Sequence, residues 1–286
     1  MRQEPAGEMM IKTTFSDDEL KQVERLLQSI NINLASLKTS HVLRRLRVRM
    51  SRTNCKTVGE YSRYLNTHEE EKKKLYLAFS INVTRFFRNP DTFQFLKEKV
   101  FPLLVRRTDR HKPLKIWSAG CADGAEAYTL AILCKQFNLR PGRVIIYATD
   151  YNRELLAAAK ERIFPFEYLR ETPEEIQNAY FTQVSRNDVQ ISPELKHFIE
   201  FQEHNLLQEN VRPPAPSFDM IVCRNVLIYF TMDQHEGIFQ QFYRYLKPQG
   251  FLVIGRTEIL PIKWHDRFTI FSSHHRISRK KEQKTF

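Results

Sequence analysis

The stretch KIWSAGCADGAEAY, residues 115–128, decides the fold. An apolar run over residues 114–119 meets Gly120 and Gly124, and a helical pattern follows over residues 125–137. That order is a strand, a glycine-containing turn and a helix start. Glycine serves such a turn twice: it adopts positive φ, and it lets a ligand approach the backbone with no Cβ in the way. A second apolar run, residues 143–149, ends at Asp150. A carboxylate at the tip of the second strand is placed to accept hydrogen bonds from ribose hydroxyls. The glycine spacing is G-x-x-x-G rather than G-x-G-x-x-G, so the turn alone also fits any doubly wound fold. Together with the acidic strand end it points to an adenosine-bearing cofactor in an open α/β sheet.

Strands and helices alternate from residue 114 onward, which predicts a mostly parallel sheet. Ligands of such sheets bind beyond the carboxyl ends of the strands. Those ends carry Gly120, Asp150, Asn205, Arg224, Asn225 and Gly255. Helices are expected at 153–162, 173–180 and 233–246, a buried strand at 218–223 (FDMIVC), another at 251–255, and a closing hairpin at 268–271 and 275–278. Two short β-like runs, 188–191 and 198–202, fall where plain alternation would place a helix, so they are expected to form a small antiparallel insertion.

Upstream, no strand-like alternation precedes residue 80. Residues 1–14 read as a disordered tail and 15–80 as a helical domain. Ser16 and Glu19 have capping-box spacing, and Leu20, Val23, Leu26 and Leu27 follow at helical spacing. A second helix is expected from about residue 36 to 52, with Leu43, Leu46 and Met50 as its apolar stripe. Arg44, Arg45, Arg47, Arg49 and Arg52 surround that stripe with no acid between them. A charge run is commonly a solvated face whose long side chains lie over apolar neighbours. The density here equally fits a binding face for an acidic partner. Residues 81–113 read as a linker and helix, with NVTRFFRNPD at 82–91 and Asn89-Pro90 as the turn. Residues 279–286 read as a mobile basic tail.

The 286 residues suffice for a large core, and 42% hydrophobic with 27% charged residues is ordinary for a globular protein. The net charge of +12 implies attraction to something acidic: nucleic acid, an anionic membrane surface or an acidic protein. Cys55, Cys121, Cys134 and Cys223 form no C-x-x-C pair, and no histidine cluster has metal spacing, so no metal and a reduced, cytoplasmic setting are expected. No apolar run approaches the ~18 residues of a membrane span, and residues 1–15 lack a secretory apolar core.

The blocks SINVTRFFRNPDTF, KIWSAGCADGAEAYTLAI, ATDYN, FDMIVCRNVLIYF and LKPQGFLVIGRTE occur in the order found in the bacterial chemotaxis receptor methyltransferases, and over about residues 15–278 the chain resembles that family, CheR. The resemblance implies a Rossmann-like α/β methyltransferase sheet at 114–278, an N-terminal helical domain and a small antiparallel β-subdomain at about 181–204. It implies a protein-glutamate O-methyltransferase that uses S-adenosylmethionine and releases S-adenosylhomocysteine. Its substrates would be the cytoplasmic helical bundles of chemoreceptors, with the arginine helix as the receptor-binding face. By residue-to-residue match, Asn82, Thr84 and Arg88 line the cofactor pocket. Glu126 is the cofactor-binding glutamate, although the family's Gly-Glu-Glu-Pro-Tyr reads Gly124-Ala125-Glu126-Ala127-Tyr128 here. Asp150 is the ribose ligand, Asn205-Leu206 and Arg224-Asn225 hold the two ends of the cofactor, and Arg88 with Tyr229 positions the carboxylate and the methyl donor. The subgroup that grips a receptor C-terminal pentapeptide carries a longer, glycine-containing subdomain loop. Residues 183–188 are short and lack glycine, so no tether is expected.

Two other readings are weighed against this one. A nucleic-acid methyltransferase suits the charge, but amino-methylating enzymes carry a Pro-Pro-Tyr-type motif where this chain has Arg224-Asn225-Val226. A non-catalytic receptor adaptor would not need Arg88, Glu126, Asp150 and Tyr229, all of which are present.

Overall fold

The apolar run of residues 114–119 forms the middle of the main sheet because its side chains are buried on both faces, as parallel strands require. The computed structural model describes residues 15–29, 39–79, 84–107, 112–208 and 218–282. It divides into two compact units, Met1–Ile81 and Asn82–Phe286.

In the first unit the described helices are α1 (Asp17–Ser29), α2 (Thr39–Arg52), α3 (Val58–Thr67) and α4 (Glu69–Phe79). Ser16 and Glu19 close a capping box at α1, with Glu19 N–H donating to Ser16 Oγ and Ser16 N–H to the Glu19 carboxylate. The buried stripe of α2 is Val42, Leu46 and Met50, at strict i, i+4, i+8 spacing, so Val42 takes the place expected of Leu43. Its arginines do not form one free face. Arg49 is ion-paired with Glu71 of α4 and only 12% exposed, and the Tyr61 hydroxyl donates to the same carboxylate at 2.6 Å. Arg45 Nη1 donates to the Ala78 carbonyl at 2.6 Å, and the Arg47 guanidinium lies 4.3 Å from the Phe15 ring centre. Arg44 and Arg52 are exposed.

In the second unit the helices are α5 (Pro90–Phe95), α6 (Phe101–Arg107), α7 (Ala125–Gln136), α8 (Arg153–Glu161), α9 (Glu174–Tyr180) and α10 (Met232–Tyr245), with a π-helical turn, Leu96–Val100, joining α5 to α6. The strands are β1 (Leu114–Ala119), β2 (Val144–Asp150), β3 (Ile163–Pro165), β4 (Phe181–Gln183), β5 (Asp188–Ile191), β6 (Ile199–Glu203), β7 (Phe218–Cys223), β8 (Leu246–Ile254), β9 (Phe268–Ser272) and β10 (Ile277–Lys280). Seven make one sheet in the order β6-β2-β1-β7-β8-β10-β9, parallel except for the β8-β10-β9 hairpin edge. Alternate residues of β1 serve opposite faces. Ile116 packs with Leu130 and Leu133 of α7, and Trp117 packs with Phe239 and Phe242 of α10. The Trp117 indole N–H is satisfied by Thr149 Oγ1 at 2.8 Å.

Two expectations are corrected. The run near 198–202 is no part of an antiparallel insertion: β6 pairs in parallel with β2, from Ile146 beside Ile199 to Asp150 beside Glu203. The small antiparallel sheet is instead β3-β5-β4, built from segments on both sides of α9. A five-residue strand that alternates on a sheet edge has the same local pattern as a hairpin strand, so only long-range pairing separates the two. The basic tail also begins later than expected. Arg279 and Lys280 belong to β10, and the buried Lys280 ammonium donates to the carbonyls of Tyr243 and Leu246, at the carboxyl end of α10, at 2.6 and 2.7 Å. A helix C-terminus offers unpaired carbonyls and negative potential, which suits an ammonium.

Candidate active site

The turn after β1 is stitched to the end of β2. The N–H groups of Gly120 and Cys121 both donate to Thr149 O, at 2.8 and 2.9 Å. Gly120 and Gly124 have φ of 78° and 89°, a region closed to most side chains. A Cβ on Gly120 would also lie 2.5 Å from Val226, and one on Gly124 would lie 2.9 Å from Ala159. The glycines therefore let the turn pack closely against the loop after β7 and against helix α8.

Asp150 closes this turn. One carboxylate oxygen accepts the Ala122 N–H at 2.8 Å and the other the Asn152 N–H at 2.9 Å. Burial pushes its pKa up, against the opposing pull of those backbone donors. An ionised carboxylate has about four acceptor positions, so capacity remains for a diol. Glu126, in the first turn of α7, accepts from Ser118 Oγ at 2.9 Å and faces Arg224 Nη1 at 3.5 Å. Burial also raises Glu126, while the positive charges of Arg224 and Arg88 hold it down. Two partly buried acids, one at the end of β2 and one in the first turn of α7, beside a glycine turn, fit a ligand carrying a ribose diol and an ammonium group.

Arg224, at the end of β7, has a side chain only 2% exposed. Its Nη2 donates to the Arg88 carbonyl and to Asn89 Oδ1, each at 2.7 Å, and its guanidinium lies 5.0 Å from the Phe93 ring centre. The sequence reading groups Arg224 with Asn225 as a cofactor contact. The structure pairs this guanidinium with Glu126 and bonds it to the segment that carries Arg88. Asn225 adopts φ of 60° directly after it.

The segment around Arg88 is held at several points. Phe86 N–H donates to Tyr168 O at 3.2 Å, Phe87 N–H to Thr129 Oγ1 at 3.1 Å and Asn89 N–H to Glu171 Oε2 at 2.9 Å, while Arg85 pairs with Glu171 at 3.2 Å. Phe87 and Asn89 have φ of 52° and 64°. An aromatic residue in this region is strained and persists only where the surroundings over-determine it. Those bonds fix the two residues that flank Arg88. Thr84 and Tyr168 hydrogen-bond the partly buried Asp123, whose pKa desolvation pushes up to about 6. Asn82 lies outside the described residues.

Tyr229 ends a tight turn, Leu227–Tyr229, that follows β7. Glu258, 4% exposed, anchors this turn: one oxygen accepts the N–H groups of Val226 and Leu227 at 2.9 and 2.8 Å, and the other accepts the Gly255 N–H. Asn205 Oδ1 caps its own turn by accepting the Leu207 N–H at 2.9 Å, and Leu206 is buried among Trp117, Tyr147 and their neighbours.

Sequence reasoning missed Glu258, Asp123, Tyr168 and Glu171. Glu258 left a usable signal, a carboxylate three residues after a strand-end glycine. Tyr168 and Glu171 lie in a stretch without periodicity and left none. The structure also gathers Asp91, His274 and His275, with ligand atoms within 4.8 Å of one another. Arg256 pairs with the same Asp91 carboxylate and supplies the positive charge there.

Asp123 gives a pH prediction. Its carboxyl rises from 3.8 unfolded to about 6 folded, so the folded state holds the proton more tightly. Its contribution is therefore present below pH 4 and lost as pH rises to about 6. Asp123→Asn should remove a fall of about 3 kcal/mol over that window, at roughly 1.36 kcal/mol per pKa unit. Denaturant unfolding of both proteins at pH 4, 5 and 7 checks this, and parallel pH profiles would contradict it.

Comparison with known proteins agrees with this geometry. The all-alpha domain of the CheR methyltransferases matches residues 20–80, and their SAM binding domain matches residues 82–277. A chemotaxis protein methyltransferase of Borreliella burgdorferi is 31% identical over 87% of this chain and 91% of its own length. One of Salmonella typhimurium is 32% identical over 88% of this chain and 87% of its own. An uncharacterised 104.1 kDa protein of Rhodobacter capsulatus is 34% identical over 89% of this chain, which spans only 27% of that relative. No helix among the described residues is long and apolar enough to cross a membrane. The chain belongs to the CheR methyltransferase family and uses S-adenosylmethionine as its methyl donor.

Proposed function

We propose that this protein methylates glutamate side chains of chemoreceptors in sensory adaptation. The observation that carries the reading is the way Arg224 ties Glu126, at the cofactor turn, to the backbone of Arg88. Cofactor-side and acceptor-side groups thereby share one buried link. The named activity of the relatives supports the choice of substrate.

Bound S-adenosylmethionine supplies a methyl group activated on a sulfonium. The acceptor, a free glutamate, titrates at ~4.3 and is already ionised at neutral pH, so the chain needs no strong base. Its task is alignment. Arg88 holds the acceptor carboxylate in the planar, two-point manner of a guanidinium, and the Tyr229 hydroxyl steers it by a hydrogen bond. Orientation of this kind is worth roughly 7–11 kcal/mol of the barrier. The buried walls around Glu126 and Arg224 keep water from stabilising the separated charges.

Incubation with labelled S-adenosylmethionine and chemoreceptor cytoplasmic fragments tests the reading. A base-labile methyl ester is the expected product. Label stable to base, or label found in RNA or DNA instead, would refute it.

Asp150→Ala should weaken S-adenosylhomocysteine binding by about 1.5–3 kcal/mol, the worth of a hydrogen bond to a charged group. Unchanged calorimetric affinity in the folded variant would remove Asp150 from the cofactor site.

For the receptor, Arg44 and Arg52 are the exposed members of the arginine helix, and we assign them the acidic partner. Arg44→Glu with Arg52→Glu should raise KM for the receptor and flatten its salt dependence, leaving cofactor affinity unchanged. The opposite pattern would contradict this. The turn at 184–188 closes on itself, with Ser185 Oγ donating to Asp188 and Val184 N–H to Asp188 O. A closed turn of this length supports recognition without a pentapeptide tether. The receptor's methylated bundle is cytoplasmic, and the protein is assigned there with it.

A further inference from the structure

Among the described residues, the three most exposed large hydrophobic side chains are Ile262 at 85%, Met232 at 71% and Ile259 at 66%. Single exposed apolar residues are normal on any surface. These three are gathered by the fold beside Tyr229. Met232 follows Tyr229 by three positions and opens α10. Glu236, one turn further on the same helix face, is ion-paired with Lys263, next to Ile262. Ile259 follows Glu258, whose carboxylate grips the Val226–Leu227 backbone ahead of Tyr229.

The 259–264 turn is rigid, because its other apolar residues point inward. Leu260 is 7% and Trp264 3% exposed, and the Trp264 ring lies 6.5 Å from that of Phe239. Ile259 and Ile262 therefore face water by design of the turn and not through disorder. Arg256, ion-paired with Asp91, and Lys263, ion-paired with Glu236, border them at 41% and 59% exposure.

We propose that Met232, Ile259 and Ile262 form a docking surface for the apolar side of the receptor helix that presents the acceptor glutamate. This rests on the proposed function. A helix that delivers a carboxylate to Tyr229 must lie across the residues that border it. A helix in a bundle carries an apolar stripe at i, i+3, i+4 beside its acidic face; the stripe meets the apolar anchors, and the acidic face meets Arg256 and Lys263, where its carboxylates compete with Asp91 and Glu236. The arginine helix and this surface then act differently: the first attracts by charge, the second holds by area removed from water.

The test is steady-state methylation of a receptor fragment by Met232→Ser/Ile259→Ser/Ile262→Ser, measured at low and high salt. KM for the receptor should rise tenfold or more at both salt concentrations, with S-adenosylhomocysteine affinity within twofold of wild type. Ile262→Leu should keep KM within twofold. Ile262→Ser alone, at so exposed a position, should fold normally and raise KM about threefold. A triple variant with receptor KM within twofold of wild type overturns the docking surface. So does a triple variant whose only change is loss of self-association in sedimentation. If the wild type methylates no receptor fragment while binding S-adenosylhomocysteine, the proposed function falls and this surface with it. An active wild type beside an indifferent triple variant overturns the surface alone.

Discussion

Arg88→Ala should lower kcat/KM for receptor methylation by about 10²-fold or more, while the melting temperature changes little. A 10²-fold loss corresponds to about 2.7 kcal/mol of transition-state stabilisation, within the range for two charge-assisted hydrogen bonds to a carboxylate. The fold should survive because the segment around position 88 is also held through its backbone. Its carbonyl accepts from Arg224, and its neighbours are bonded through Phe87 N–H and Asn89 N–H. Arg88→Lys should rescue poorly, since an ammonium keeps the charge and loses the planar two-point grip. Initial rates with labelled donor decide the matter. A lysine variant near wild-type turnover would show that Arg88 acts as a charge only.

Arg224→Met should damage the structure itself. Removing one member of a buried ion pair leaves the other charge uncompensated and costs about 3–5 kcal/mol. Here the loss also frees the Arg88 carbonyl and Asn89 Oδ1 from their donor. At roughly 2–4 °C per kcal/mol for a domain of this size, the melting temperature should fall by about 10 °C. The sign of the pH effect is a second check. Without Arg224, burial drives the Glu126 pKa higher, so the folded variant holds that proton more tightly and loses stability as pH rises. The deficit should shrink at acid pH and on adding Glu126→Gln. A variant that melts like wild type at all pH values would show that the pair contributes nothing.

The parallel sheet, its glycine turn and the strand-end residues are legible from local pattern. In a chain that alternates strand and helix, a continuous apolar run that stops at Gly or Asp is what a strand buried on both faces requires. Asp150, Arg224 and Tyr229 do fall at the carboxyl ends or in the turns that follow them, and Glu126 falls in the helix turn just beyond β1. What stays hidden depends on partners distant in sequence. The apolar alternation of residues 199–203 says strand, but its parallel partner is β2, about fifty residues earlier in the chain. Arg49 reads as one more surface arginine, yet Glu71, on another helix, takes it up. Lys280 reads as part of a charged terminus, yet the end of α10 offers it carbonyls. In the last two cases a charged side chain is read by its neighbours in sequence, while its energy is set by its neighbours in space.

Glu258 makes the loops after β7 and β8 a single unit of inheritance. Its two oxygens take the N–H groups of Val226, Leu227 and Gly255, so the loop that presents Tyr229 has its backbone satisfied by a residue from the next strand's turn. A chimera that imports residues 224–231 from a relative and leaves residues 255–258 behind would ask two turns shaped in different proteins to share one carboxylate. Transplanting acceptor preference between members of the family therefore calls for moving both segments together.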